Sequence, residues 1–408
     1  MGTPYTTTPV PRIKDLFGEP RLPVPLKPQA GELFSSWFTR LAKANAMRPN
    51  QLGACLTGRR RQLFSGDPDR GVWKEPGLLL AAFTGASSKQ VESTYLSDYG
   101  GYLWPSRPKH GVWRHVLHLS DGKRQKDYFG LQYCPRCLAS DAVPYFRKHW
   151  RLVFSVACDL HGCKLRDRCP HCHSPVTPNL CDVGQKWLDC APCVIDCHSC
   201  KGTLLIPSEV VTKTLCEFQG LLLTSLERGW ISLAGRCVHS ILFFEGFRML
   251  LSFLDDERKS GRLCKIIYRD LPESILELIR LSRYGGVETV SLSRRFRLLA
   301  MTSELFKNWP ASAMTLLQKS GVTSRDIFCF NRGPVCTVPF WLWQPTKFAI
   351  DHTPYVASDG ELANAAAHLL KLEPNSSPSD LCKLMNMNTS SNIRVGKEWS
   401  KFKSQTSY

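Results

Sequence analysis

Through the first hundred residues, apolar positions return every three or four residues in short runs punctuated by glycine and proline. Leu33, Trp37, Leu41 and Ala44 recur at helical spacing. They follow a lead rich in proline (Pro9, Pro11, Pro20, Pro23, Pro25, Pro28), which cannot stay helical and predicts an extended arm over 1–30. After a break at Met47–Asn50, Pro49 is placed to start a second helix through Leu52 and Leu56. A second helical pair lies between Leu78 and Leu96, split at Gly85. Such pairs make a helix-turn-helix, although helical hairpins that never meet DNA share the pattern.

From Ser208 to Leu317 the period is helical again, with apolar faces over Val210–Leu226, Ile241–Leu254 and Leu271–Leu281. Arg332–Ser358 is rich in proline and aromatics and reads as a linker or packed loop. Beyond it, Glu361–Leu372 makes a helix stopped by Pro374, and Pro378 opens another through Leu381 and Leu384. Asn386–Asn388 would be a turn, and Thr389 would cap a third helix through Ile393 and Val395. Ser390, Ser391, Asn392 and Arg394 then occupy the early turns of a recognition helix, where base and phosphate contacts are made. The competing reading is a helical hairpin whose polar face meets water.

The expected fold is mainly α with small zinc-ribbon β elements. Its parts are an arm (1–30), a helix-turn-helix-like domain (31–125), a tandem zinc cassette (126–207), a helical domain (208–330), a linker (331–358) and a C-terminal helix-turn-helix (359–408). A chain of 408 residues is too long for one ordinary core. No apolar run approaches a membrane span, and Thr3–Arg12 is polar, so neither a membrane protein nor a secretory signal is expected.

Charge sharpens this outline. Lys and Arg number 53 against 35 Asp and Glu, a net +18, which points to a polyanionic partner. The basic residues fall in short clusters, at Arg59–Arg61, Lys123–Lys126, Arg147–Arg151 and Arg294–Arg297, as suits a folded surface better than a basic tail.

Cysteine is more specific still. Of 18 cysteines, 11 lie between Cys134 and Cys200, a density that reads as metal ligation. Cys134-Pro-Arg-Cys137 is a two-ligand turn, and Cys158-Asp-Leu-His161 follows after 20 residues, completing a three-cysteine, one-histidine site. Cys169-Pro-His-Cys172 begins a second site. Cys197-His-Ser-Cys200 is favoured to complete it, because Lys201–Leu205 follows like a closing ribbon strand. Cys190 and Cys193 stay open as an alternative, with Cys163 and Cys181 as spares. Four protein ligands fill tetrahedral zinc and leave no place for water, so two structural Zn2+ ions are expected.

Catalytic signatures are lacking. No histidine is followed two residues later by glutamate, as nucleobase deaminases require, and no His-Glu-x-x-His or phosphate-cradling Gly-x-x-x-x-Gly-Lys-Ser/Thr occurs. Arg136, Arg147, Lys148, Lys164, Arg151, Arg166 and Arg168 lie between the ligand pairs and are candidates to face phosphate.

These residues also carry a family resemblance. Gly31-Glu-Leu-Phe-Ser-Ser-Trp37 with Arg40-Leu-Ala42 is similar to the opening signature of the TniQ/TnsD family of transposon target-selection proteins. Tyr133–Leu138 with Asp141, Tyr145-Phe-Arg147, Trp150-Arg151, Cys158, His161-Gly162, Leu165 and Cys169–Cys172 extend it in order, and Phe306–Pro310 resembles a later signature. The resemblance implies a non-catalytic adaptor that marks a target and recruits an AAA+ regulator, and through it a DDE transposase. Target DNA would be met directly or through an RNA-guided CRISPR effector complex, with the adaptor as a homodimer in some members. A bacterial, cytoplasmic, nucleoid-associated place follows. The competing function is a stand-alone, zinc-dependent, sequence-specific DNA-binding regulator.

Overall fold

In the computed structural model, residues 21–57, 66–71, 74–108, 111–119, 131–180, 194–267, 286–328, 338–350, 357–385 and 392–405 are described. They fall into two compact units, Met1–Ala349 and Ile350–Tyr408.

The first unit is built outward from helix α1 (Phe34–Ala44). Phe34, Trp37, Phe38, Leu41 and Ala42 bury one face against Leu52, Cys55 and Leu56 of α2 (Pro49–Thr57). Leu80 of α3 (Lys74–Thr84) and Val91 of α4 (Ser88–Glu92) close this core. Tyr95 stacks on Phe34 at 4.6 Å between ring centroids. The end of the proline-rich arm is pinned here, with the Leu22 N–H donating to the Phe83 carbonyl and the Trp37 indole donating to the Leu26 carbonyl.

Leu33 precedes α1 and has no side chain able to cap it. The first amides of the helix are satisfied from afar. Phe34 N–H donates to the Thr94 carbonyl at 3.0 Å, and Ser35 N–H to the Asp69 carboxylate at 2.7 Å. Negative charge at a helix N-terminus is favourable. Asp69 and Asp67 are in turn held by Arg151, which is 1% exposed, at 2.7 and 2.6 Å. Glu32, also buried, grips Arg40 two turns on and accepts from the Ser36 hydroxyl at 2.8 Å.

The segment Leu152–Cys158 is buried throughout, yet it is neither helix nor strand. Its backbone needs partners, because each unsatisfied amide costs about 2–7 kcal/mol. Backbone carbonyls of His115 and Cys163 accept from Val153 and Cys158, and side chains supply other partners. Gln219 accepts from the Val156 and Ala157 amides and donates to the Ala157 carbonyl; Gln132 donates to the carbonyls of Trp150 and Ser155.

Gln219 sits on α6 (Lys213–Arg228), which leads through a hairpin, β1 (Trp230–Leu233) and β2 (Arg236–His239), into α7 (Ser240–Asp255). The hairpin turns at Ala234 and Gly235, both with positive φ, as a two-residue turn between antiparallel strands requires. Sequence periodicity does not resolve it, since four-residue strands fit inside a helical pattern. Helices α8 (Glu257–Ile267), α9 (Leu292–Phe306), α10 (Ala311–Ser320) and α11 (Ser324–Ile327) follow. The expected helix over 271–281 lies outside the described residues.

One expectation is corrected: within 331–358, residues Phe340–Ile350 form helix α12 despite Pro345. Trp341 explains this, since it stacks on Phe243 and its indole donates to the Leu242 carbonyl at 3.0 Å. Burial of an aromatic outweighs the hydrogen bond that proline removes.

Among its described residues the second unit has three helices, α13 (Asp359–Leu372), α14 (Pro378–Leu384) and α15 (Asn392–Gln405). Ser358 with Glu361 and Ser377 with Asp380 form reciprocal caps on the first two. Leu362, Ala366, Leu381, Val395 and Trp399 make its core.

Burial pushes the Asp69 carboxyl up to about 6 against the pull of Arg151, whereas Asp67 is held below its usual range because Arg151 and Arg70 outweigh its burial. A raised carboxyl costs the fold stability as pH climbs through 4–6, and a lowered one costs it as pH falls below about 4. Arg151→Gln removes the shared cation from both. It should destabilise the fold by about 3–5 kcal/mol at pH 7, with the deficit shrinking toward pH 5 as the orphaned carboxylates protonate. Thermal denaturation of both proteins across that range checks it, and a deficit that grows toward pH 5 would refute the assignment.

Candidate metal centres

Cys134 ends an extended segment and caps the short helix α5 (Pro135–Ser140), accepting from the Cys137 amide at 3.4 Å. Pro135 at the first helical position fixes the tight turn that brings both sulfurs to one side. The other three pairs share a single local geometry. The amides of Gly162, His173 and Lys201, each just past the second ligand, donate back to the carbonyls of Cys158, Cys169 and Cys197. Those same cysteines donate forward to the carbonyls of Cys163, Ser174 and Gly202. Each pair therefore sits at the tip of a miniature hairpin, and the residue after it is left-handed, with φ of 56°, 58° and 61°. Only the first of these three is glycine. His173 thus has a turn-forming place.

Two four-membered clusters result, Cys134/Cys137/Cys158/His161 and Cys169/Cys172/Cys197/Cys200, with the ligand atoms of each within 4.8 Å of one another. In the first, the Cys137 and Cys158 sulfurs are 3.5 Å apart, and His161 Nδ1 lies 3.3–3.7 Å from all three sulfurs. In the second, Cys169 to Cys200 and Cys172 to Cys197 are both 3.7 Å. A tetrahedral zinc ion requires edges of about 3.8 Å between sulfurs and about 3.5 Å between sulfur and nitrogen. Both donor sets fit such an ion, and both could hold a metal. Cys181, Cys190 and Cys193 lie outside the described residues.

The two sites differ in exposure. All three cysteines of the first are buried, whereas Cys172 and Cys200 of the second are exposed. Gly202 packs closely at the second site, where an added Cβ would lie 2.6 Å from the His171 ring and push that exposed side chain aside. A fifth thiol, Cys163, stands 3.5 Å from Cys134 in the first site. Sequence reading leaves it as a spare; its position two residues past His161 is the available signal. Hydrogen bonds from Cys137, Cys158 and Cys163 hold the Cys134 thiol far below the usual range, while the same proximity drives Cys137 far above it. At the second site a Ser174 hydrogen bond brings Cys172 down to about 6. A divalent cation would resolve this competition by stabilising every cysteine as thiolate.

The candidate phosphate-facing residues divide. Arg136 is exposed, while Arg166 and Arg168 are half-buried, bonded to the Pro207 and His173 carbonyls. Three do not face solvent, which corrects the expectation. Arg151 lies under Asp67 and Asp69; Lys148, 8% exposed, binds Asp98 and the Ser93 carbonyl; Arg147 grips Asp141 at 3.0 Å between Tyr145 and Trp150. Carboxylates capture these cations, with Asp69 fully buried and Asp98 at the surface. Ser390 and Ser391 lie outside the described residues, and Asn392 and Arg394 fall in the first turn of α15.

Cys197→Ser should lower bound metal by one ion per chain and spare the other, as counted by elemental analysis of purified protein. Loss of both ions, or of neither, would break the assignment of Cys197 to the second cluster alone. Cys163→Ala should retain both ions.

No curated protein matches the chain. Residues 23–165 match the TniQ family model, a span that takes in the Glu32, Arg40, Asp69 and Arg151 network and the whole first cluster, and stops short of the second. Residues 23–165 of the chain are therefore similar to the TniQ domain.

Proposed function

We propose that this protein is a non-catalytic adaptor of DNA transposition that marks the target site and recruits an AAA+ regulator, which brings in the DDE transposase. The observation that carries the proposal is the likeness of residues 23–165 to the TniQ domain, whose signature residues are consumed in fixing the architecture. Glu32, Ser35, Ser36 and Arg151 are spent on buried bonds, which suits a scaffold that presents surfaces to partners. Both metal centres are assigned to structural zinc, since four protein donors leave no coordination position for substrate or water. Each ion would add on the order of 10 kcal/mol to folding, enough to hold the ligand turns in place.

In this reading the N-terminal helices serve docking or dimerisation. Target DNA is reached directly or through an RNA-guided CRISPR effector complex. Of the basic residues around the cassette, Arg136, Arg166 and Arg168 keep a role toward nucleic acid, and the first turn of α15 gives the C-terminal unit a second contact. A stand-alone DNA-binding regulator draws support from that three-helix unit alone.

Reconstituted transposition decides between the two. With cognate regulator and transposase, adding the zinc-loaded protein should concentrate insertions at a defined site. Stripping the metal with a chelator should return them to background. Insertion frequency and position that are indifferent to the protein would overturn the adaptor role, and a sequence-specific footprint without any partner would favour the regulator.

A further inference from the structure

Past the first metal centre the chain runs extended, pairing Lys164 with Ala157, Arg166 with Tyr133 and Arg168 with Pro175. Alternation along an extended segment sends every second side chain to one face. The whole run from Lys164 to Cys169 lines a cleft of about 350 Å³, with Leu165 and Cys169 buried in its floor and Lys164, Arg166 and Arg168 on the more open face. The opposite wall is the N-terminus of α9, where Ser291 caps the helix by accepting from the Arg294 amide and Ser293 is exposed. Lys164 lies 5.2 Å from the Phe296 ring of this helix, so strand and helix face each other across the opening.

Charge in this cleft is unbalanced. Its acidic residues are Asp167 and Glu209, and Glu209 is mostly solvent-exposed, 3.7 Å from Lys164. Beneath α9, Arg295 is 2% exposed and bonds three uncharged acceptors, the Val290 and Val153 carbonyls and the Gln132 side chain. None of those bonds goes to a carboxylate, and the acidic group acting on its charge is Asp167, on the cleft wall. Three basic side chains and a helix N-terminus converge on one opening that a phosphate fits.

We propose that this cleft seats a backbone phosphate of duplex DNA, held by Arg166 and Arg168 on one wall and the first turn of α9 on the other. The seat gives sequence-independent, salt-sensitive affinity that positions the protein on its target. The inference rests on the adaptor reading only in expecting DNA nearby.

Fluorescence anisotropy of the zinc-loaded full chain with duplex DNA of arbitrary sequence, across a salt series, tests it. The Arg166→Gln/Arg168→Gln double variant should bind roughly tenfold more weakly, with a slope of log affinity on log salt shallower by about two. Ser293→Asp supplies a variant that keeps the fold, because an acidic residue in a first helical turn is favourable. It should likewise weaken binding, with unchanged melting temperature and metal content. Lys213→Gln, on an exposed face away from the cleft, is the control and should do neither. Unchanged slope and affinity in both cleft variants overturns the proposal while leaving the adaptor role intact; loss of transposition dependence leaves the slope result standing. Inorganic phosphate that raises the melting temperature of the wild type but not of Ser293→Asp, with DNA binding equal in both, would make the cleft a small-anion site and overturn it. Binding of duplex RNA but not duplex DNA would overturn it too.

Discussion

The structure depends on keeping an irregular buried segment hydrogen-bonded. Leu152–Cys158 passes through the interior with no helix or sheet to satisfy its amides, and water cannot reach it. Its partners come from widely separated places. Gln132 precedes the first ligand pair, Gln219 lies on α6 and Arg295 on α9. Because each of these is itself buried, displacing any of them would leave a polar group stranded. Cys158 ends the segment and enters the first cysteine–histidine cluster, so the same backbone that joins the TniQ-like region to the later helices also delivers a candidate ligand.

The family signature becomes intelligible on those terms. Glu32 and Arg40 are a buried ion pair across two turns of α1, Ser35 and Ser36 bind outward to Asp69 and to the Phe146 amide, and Arg151 neutralises two aspartates. Gly31 and Leu33 meet 146–148 in an antiparallel exchange, with Lys148 N–H on the Gly31 carbonyl and Leu33 N–H on the Phe146 carbonyl. The first helix is thereby riveted to the turn after the first ligand pair. A residue string that looks like a recognition motif is, in the fold, a set of internal fasteners. Function is left to what remains exposed.

That division also explains why the basic residues had to be separated by structure. Arg147, Lys148 and Arg151 share composition and neighbourhood with Arg166 and Arg168, and nothing along the chain distinguishes them. Their fates differ because Asp67, Asp69 and Asp98 arrive from other parts of the chain to capture Arg151 and Lys148, while nearby Asp141 takes Arg147. Arg295 shows the reverse, a residue of an apparent surface cluster drawn inward by backbone carbonyls.

By itself the sequence determined what local chemistry can determine. Helical periods located α1 to α4 and the pieces of the C-terminal unit, because an amphipathic face is a matter of spacing. Paired cysteines with a proline or a histidine between or beside them pointed to two metal-binding cassettes, because ligand spacing is written in the turn. Tertiary structure alone decided the rest. It drew together Cys197 and Cys200 with Cys169 and Cys172, set Cys163 against Cys134, and made a helix of Phe340–Ile350 through burial of Trp341. It also decided which cations are exposed. In each case the outcome turns on a partner remote in sequence, and the free energy of burying a charge or a ring belongs to the pair rather than to either residue.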